Sequence, residues 1–294
     1  MRVGVDVGGT TVKIGFIDKG EFVHTYAIKT TKTDLFDNIC KSIKEYAEEN
    51  NITIEGIGFG MPGHVGNNYI DRLPNIGLAD FNIEAHVKKY FPNVIIKSTN
   101  DANAAALGEY LNEHKYNSAY MITLGTGVGG GYIVDGKVVE GFNNNTGEIG
   151  HMVIDFEHNY KCSCGLSGCL ETVSSATGLV RLAYEYKNKF KSNIDFDNIT
   201  AKEVCDKAKE GDELACRVVD FAMDKLALAI SYVVLTVNPE VIILGGGVAD
   251  AGDFLIDIIQ KKYQQYAHYA VTNLNIIHAK LGNKAGMLGA AYLW

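Results

Sequence analysis

The sequence predicts an α/β protein built from two copies of one βββαβαβα unit. Three observations carry this reading. Each half opens with an apolar strand, a glycine turn and a second strand: "RVGVDVGGTTVKIG" at residues 2–15 and "AYMITLGTGVGGGYI" at 119–133. Each continues into a third strand through a turn ending in glycine, Asp18-Lys19-Gly20 in one half and Asp135-Gly136 in the other. Each then alternates helical and strand-like apolar patterns.

In the first half the strands fall at residues 2–7, 12–18 and 21–28. A helix follows over 34–49, where Leu35, Ile39, Ile43 and Tyr46 share one face. A strand at 54–60, a helix at 83–91 stopped by Pro92, a strand at 93–98 and a helix at 101–113 complete the unit. In the second half the strands fall at 118–125, 130–135 and 137–140. A long insertion holding four of the six cysteines comes next. A helix at 212–237 ends at Asn238-Pro239, followed by a strand at 240–246, a helix at 251–266, a strand at 274–279 and a closing helix at 284–294. The implied domains are 1–115 and 116–294, with the closing helix free to pack back on the first. Two such units imply a cleft, a favoured place for ligand sites.

The bulk numbers narrow the function. The net charge of −8 disfavours a nucleic-acid partner, whose phosphates are met by excess Lys and Arg. The most apolar stretch, "LALAISYVVLTV" at 226–237, is too short to span a bilayer, and Asp6 interrupts any apolar leader core. A cytoplasmic protein with no membrane partner is expected, and in a reducing compartment disulfides are disfavoured.

The two glycine turns are candidate phosphate cradles, because glycine lets successive backbone N–H groups approach an anion. The first offers Gly8, Gly9, Thr10 and Thr11, with Asp6 and Lys13 beside it; the second offers Gly125, Thr126 and Gly127. A third cluster, Gly245, Gly246 and Gly247, follows a strand and precedes a helix, placed to pack against a nucleotide's base and ribose. Two other phosphate motifs fail. Gly125, Gly127 and Gly130 match G-x-G-x-x-G, but a hairpin follows where the dinucleotide fold needs a helix. Residues 131–137 fit G-x-x-x-x-G-K, but Val138 stands where a P-loop needs Ser or Thr.

The duplicated units with "DVGGT" and "LGTGVGGG" resemble the sugar kinase, Hsp70 and actin superfamily, with its RNase H-like domains. The segments "GEIGHM" at 147–152 and "CSCGLSGCLE" at 162–171 are narrower, and resemble the ROK family of sugar kinases and sugar-responsive repressors. "CLETVSSATGLVRLA" at 169–183 is most similar to the family's bacterial glucokinases.

His151, Cys162, Cys164 and Cys169 have the spacing H-x10-C-x-C-x4-C, a Cys3His set suited to a closed tetrahedral zinc site. Redox pairing is the alternative. The other cysteines, Cys40, Cys205 and Cys216, fall on predicted helices and are read as buried or incidental. The resemblance implies more. His151 holds zinc with one ring nitrogen and a sugar hydroxyl with the other, and Glu148 and Glu171 accept sugar hydroxyls. Asp101 is the general base, Asn100 and Asn75 are sugar ligands, and Asp6 is associated with magnesium. On residues alone, Asn100 or Asp101 equally suits a helix N-cap. Family glucokinases often carry an aromatic where this chain has Leu78.

The expected activity is ATP-dependent phosphorylation of glucose at its 6-hydroxyl, with Mg2+ and structural Zn2+, in a homodimer or homotetramer. The alternatives are an N-acetylmannosamine or N-acetylglucosamine kinase, and a sugar-responsive regulator lacking its DNA-binding domain, for which the five residues ahead of Asp6 leave no room.

Overall fold

The computed structural model describes residues 1–73, 76–113 and 115–294. The elements of the first half are β1 (Arg2–Val7), β2 (Thr11–Asp18), β3 (Glu21–Lys29), α1 (Leu35–Glu49), β4 (Gly56–Met61), β5 (Val65–Gly66), β6 (Tyr69–Leu73), β7 (Leu78–Asn82), α2 (Ile83–Val87), β8 (Ile95–Asn100) and α3 (Asp101–Glu113). Then come β9 (Ser118–Leu124), β10 (Val128–Val134), β11 (Lys137–Val138), α4 (Glu171–Ser174), α5 (Ala176–Tyr186), α6 (Ala201–Lys209), α7 (Glu213–Val237), β12 (Val241–Gly245), α8 (Asp253–Tyr266), β13 (Ile276–His278) and α9 (Ala285–Ala291).

The duplication appears in the strand orders. One five-stranded sheet runs β3-β2-β1-β4-β8 and the other β11-β10-β9-β12-β13, so each places its five strands in the order third, second, first, fourth, fifth. In the first sheet β1, β4 and β8 are parallel, while β2 and β3 return antiparallel. The β2–β3 turn puts Lys19 at φ 49° and Gly20 at φ 90°, the paired left-handed conformation of a tight hairpin.

The chain divides into two compact units: residues 1–117, 131–147 and 281–294 form one, and 118–130 with 148–280 the other. The division runs through β10. Compared with the single cut expected after residue 115, residues 131–147 and 281–294 group with the first unit.

The first unit's core is Val3, Val5, Val12, Ile14 and Phe16 from the strands with Phe36, Ile39 and Ile43 of α1, all essentially buried. α9 packs against both β1 and α3 by means of small residues. A Cβ on Gly289 would lie 1.7 Å from the Ala104 carbonyl oxygen of α3, and one on Gly4 of β1 1.8 Å from that of Met287. Glycine there lets backbone meet backbone. In the second unit α7 is the longest helix, capped by the Asp212 side chain on Ala215 N and ended by Asn238 at φ 43° ahead of Pro239.

Several expectations shift. The helix expected over 83–91 is shorter, because residues 88–91 close as turns onto Glu84, His86 and Val87 ahead of Pro92, which disfavours helix at the residue before it. The strand expected at 93–98 lies at Ile95–Asn100. A turn from Val94 N to Phe91 O delays it, and pairing with β4 extends it to Asn100. The three-stranded sheet β5-β6-β7 was not expected, nor were α4 and α5 inside the insertion, while α6 is the helix expected around Cys205. Among the described residues no helix is long and apolar enough to cross a membrane.

Candidate functional site

In the first unit the parallel register sets the site residues along one edge. Asp6 of β1 pairs with Gly60 of β4, Gly60 with Thr99 of β8, and Met61 with Asn100. Asp6 and the Asn100–Asp101 pair therefore stand at the carboxyl ends of two parallel strands with β4 between them, where α/β sheets bind ligands.

Asn100 takes the capping role. Its Oδ1 accepts from Ala102 N at 2.8 Å and Asn103 N at 3.4 Å, and its Nδ2 donates to the Gly63 carbonyl at 3.1 Å. Asp101 is the first residue of α3, and its Oδ1 accepts from Ala102 N at 2.9 Å. The N-terminus of a helix favours the ionised carboxylate. Thr99, just before them, donates from Oγ1 to Glu140 Oε1 at 2.9 Å. The sequence reading missed this bond, since nothing local to residue 99 points to residue 140.

The first glycine turn is braced from below. Gly8 N donates to Thr11 O at 3.0 Å, and Thr30 Oγ1 donates to Gly8 O at 2.7 Å. Gly9 and Thr10 at its tip are exposed. Asp6 lies 3.6 Å from Lys13 Nζ, which also donates to Asn283 Oδ1 at 2.9 Å. Burial raises the Asp6 carboxyl above its ordinary value, and Lys13 pulls part of that back. As a lone carboxylate Asp6 suits a magnesium ion that keeps most of its water and its phosphate ligands, and such an ion would favour the ionised form.

In the second unit the two glycine clusters are neighbours. Gly245 pairs with Thr123, and Gly246, at φ 87°, brings its Cα so close to Leu124 that a Cβ would lie 2.6 Å from the Leu124 carbonyl oxygen. Gly125 N donates to Gly127 O at 3.0 Å, and Thr177 Oγ1 to Thr126 O at 2.8 Å. Gly127 also abuts Glu171: a Cβ there would lie 2.4 Å from Glu171 Oε2, which accepts from Val128 N at 3.4 Å.

The cysteine segment folds into a knuckle. Cys162 N donates to Leu166 O, Gly165 N to Cys162 O, and Leu170 N to Met152 O; Gly165 and Gly168 make the tight bends at φ 97° and 76°. His151, Cys162, Cys164 and Cys169 place their donor atoms within 4.8 Å of one another. His151 Nδ1 stands 3.6 Å from Cys162 Sγ, and Cys164 Sγ 3.6 Å from Cys169 Sγ. A tetrahedron with zinc's usual bond lengths has edges of about 3.6 Å for N···S and about 3.8 Å for S···S. The set fits zinc in both chemistry and size. Burial and the neighbouring thiols push the Cys169 thiol up to about 12, whereas the Leu166 N–H lowers that of Cys164. A divalent cation would offset the cost of ionising all three. All six cysteines are free thiols; Cys40 and Cys205 are buried in α1 and α6, while Cys216 on α7 is exposed, in keeping with the reading of these three as buried or incidental.

His151 has two sides. Its Nδ1 faces the thiols, and its Nε2 lies 3.9 Å from Glu148 Oε2. Glu171 reaches the same knuckle, its Oε1 3.2 Å from Cys162 Sγ. The structure thus gathers Glu148, His151 and Glu171 about the cysteines. Asn75 lies outside the described residues. Leu78 opens β7 and packs half-buried against the core.

Twin sheets of one strand order, each with a glycine turn, and a Cys3His knuckle inserted in the second define a sugar-kinase architecture of the actin-like ATPase fold. The chain belongs to the ROK family, whose family model matches residues 2–294. It is 38% identical over 311 residues to a glucokinase of Halalkalibacterium halodurans, covering 99% of this chain and 94% of that protein. It is 32% identical to an N-acetyl-D-glucosamine kinase of Vibrio vulnificus, covering 100% of this chain and 99% of that protein. A ROK family glucokinase from Streptomyces griseus, solved with glucose and AMPPNP, superposes with a TM-score of 0.78 at 29% identity, covering 99% of this chain and 97% of that one.

Proposed function

We propose that this protein is an ATP-dependent hexokinase that phosphorylates glucose at the 6-hydroxyl. The observation that carries the reading is the 38% identity with a glucokinase along nearly the whole chain. The geometry agrees with it: a carboxylate at a helix N-terminus on one sheet edge, and a carboxylate–imidazole–carboxylate set around the cysteine knuckle.

In this reading Asp101 accepts the proton of the 6-hydroxyl as the oxygen attacks the γ-phosphorus of ATP, and ADP leaves in line. Asp101 needs no raised basicity, because the hydroxyl acidifies as its bond to phosphorus forms. Asn100, fixed at both ends of its amide, holds the carboxylate beside it and contacts the sugar. Glu148 and Glu171 accept from sugar hydroxyls, His151 Nε2–H donates to a sugar oxygen, and Asn75 is a further sugar ligand. The turns at residues 8–11 and 125–127 turn backbone N–H groups toward the phosphates, with Lys13 adding positive charge. Gly245, Gly246 and Gly247 receive the base and ribose. Asp6 would hold magnesium, which supplies neutralisation of phosphate charge. His151, Cys162, Cys164 and Cys169 would hold zinc, which supplies a rigid tether fixing the imidazole's orientation. We place the enzyme in the cytoplasm at the entry of glucose into glycolysis, as a homodimer or homotetramer, on the family resemblance.

A second reading, an N-acetylhexosamine kinase, is favoured by the 32% identity with the Vibrio vulnificus enzyme. A coupled ADP-release assay over glucose, mannose, N-acetylglucosamine and N-acetylmannosamine separates the two. Glucose giving the highest kcat/KM supports the first; an N-acetylated sugar exceeding it replaces the first with the second.

A further inference from the structure

We propose that His64 is a positioning residue for Asn100 and Asp101, holding the end of β8 while its imidazole is doubly protonated. The inference rests on the hexokinase reading above, and on one arrangement of the ring. His64 Nδ1 lies 2.7 Å from Asp71 Oδ2, and Nε2 lies 2.6 Å from the carbonyl oxygen of Asn143. Both partners can only accept. A neutral imidazole carries one N–H and sets a lone pair against the other oxygen, whereas an imidazolium donates to both.

These bonds join three pieces of the first unit. His64 sits in the turn between β4 and β5; Asp71 is on β6; Asn143 is on the segment following β11. The turn in turn holds the catalytic edge, since the Gly63 carbonyl accepts from Asn100 Nδ2 at 3.1 Å and Asn100 Oδ1 caps α3. The Asn143 segment is fastened to β8 a second time, through Glu140 Oε1 and Thr99 Oγ1 at 2.9 Å. It also packs its Asn144 side chain on Gly66, where a Cβ would lie 1.9 Å from Asn144 Nδ2. Thr99 and Asn100, the two residues before Asp101, are thus each braced from this network. Weakening the His64 bonds loosens the turn that holds Asn100.

Of the titratable groups on the elements packed here, Asp71 contacts the ring. Tyr69 and Asp80 stand on the same β6–β7 ribbon, joined at 3.4 Å, and Glu140 on the Asn143 segment is engaged by Thr99. Among the described side chains, the Asp71 carboxylate is the one against the ring, and it favours the imidazolium. The held form is complete at low pH and is lost as pH rises through the titration of His64. The side chains of His64 and Asp71 are 38% and 62% exposed, so solvent screens the pair and the effect is modest, roughly two- to fivefold in kcat/KM.

The test follows the full-length wild type, His64→Gln and Asp71→Asn from pH 6 to 9 by coupled ADP release, with the His64 ring titrated by NMR in the wild type and Asp71→Asn. Wild-type kcat/KM for glucose is expected to fall two- to fivefold on an alkaline limb while KM for ATP stays constant. His64→Gln should show the lower value throughout with no limb. Asp71→Asn should move both the limb and the NMR midpoint to lower pH. An unchanged limb in His64→Gln overturns the proposal, as does an NMR midpoint that Asp71→Asn leaves in place. If no hexose is phosphorylated the functional reading fails, and the NMR midpoint still decides whether the ring is held as drawn.

Discussion

Gly289→Ala sets helix propensity against packing, and the two predict opposite signs. Gly289 lies in α9, where alanine in place of glycine ordinarily favours the helix by about 1 kcal/mol. Its Cβ would stand 1.7 Å from the carbonyl oxygen of Ala104 and 2.7 Å from Gly108 N, both backbone atoms of α3. Ordinary C···O contacts are about 3.3 Å or longer, so the two helices must separate by roughly 1.5 Å. No side-chain rotation relieves a clash between a Cβ and backbone. Overpacking of this kind costs about 1–3 kcal/mol; a backbone clash this deep lies at the upper end, and about 3 less the helix gain of about 1 leaves a net loss of about 2 kcal/mol, which lowers Tm by roughly 4–8 °C in a domain of this size. Since α3 begins with Asp101, a displacement near 1 Å should also reduce glucose turnover by up to about 10²-fold. Gly247→Ala, which meets no heavy atom within 4 Å, should leave Tm nearly unchanged. The measurement is a thermal melt of both variants with a coupled assay on Gly289→Ala. A Tm for Gly289→Ala equal to or above wild type would refute the packing argument.

Asp101→Asn keeps the shape of the carboxylate but cannot take a proton; turnover should fall by roughly 10²-fold or more with glucose affinity much less changed, and retention of most turnover returns Asp101 to a purely structural role. One zinc per chain is expected by elemental analysis, and Cys164→Ser should lose it and weaken sugar binding while the fold survives; carefully prepared protein without zinc contradicts this. Asp6 is raised by burial, so the folded state holds its proton more tightly than the unfolded chain, and its ionisation lowers stability as pH rises through the window above 3.8. Asp6→Asn should therefore raise Tm at neutral pH, lose that advantage in acid, and raise KM for ATP; a lower Tm at pH 7 contradicts the reasoning.

The parts of the fold read from the sequence are those with local signals. α3 begins and ends where the Asp-Ala-Asn pattern and the Ala-rich face place it, and the β2–β3 hairpin follows from Lys19-Gly20. The β5–β6 hairpin had a signal that was passed over: Asn67 and Asn68, at φ 51° and 61°, form a tight turn between short apolar strands. α6, the helix expected around Cys205, starts where Thr200 accepts from Glu203 N in the pattern of a capping box. The Cys3His set is legible because metal chemistry fixes residue type and spacing together. What joins Thr99 to Glu140, or His64 to Asp71 and Asn143, is not, since these pairs meet only through the sheet's tertiary register. The cap role of Asn100 was one of two readings on the page, and only the geometry of its amide shows it in use.

The central claim is a kinase whose sugar pocket suits the hydroxyls of glucose. A site that hydrogen-bonds a hydroxyl rejects analogues lacking it, because buried acceptors are left unpaired. The most direct measurement is kcat/KM by coupled ADP release for glucose, 6-deoxyglucose, N-acetylglucosamine and N-acetylmannosamine under one set of conditions. The account predicts glucose as the best substrate, 6-deoxyglucose inert for want of a nucleophile, and the N-acetylated sugars weaker because their C2 substituent needs room that a glucose-fitted pocket does not leave. An N-acetylhexosamine with kcat/KM above that of glucose contradicts the account.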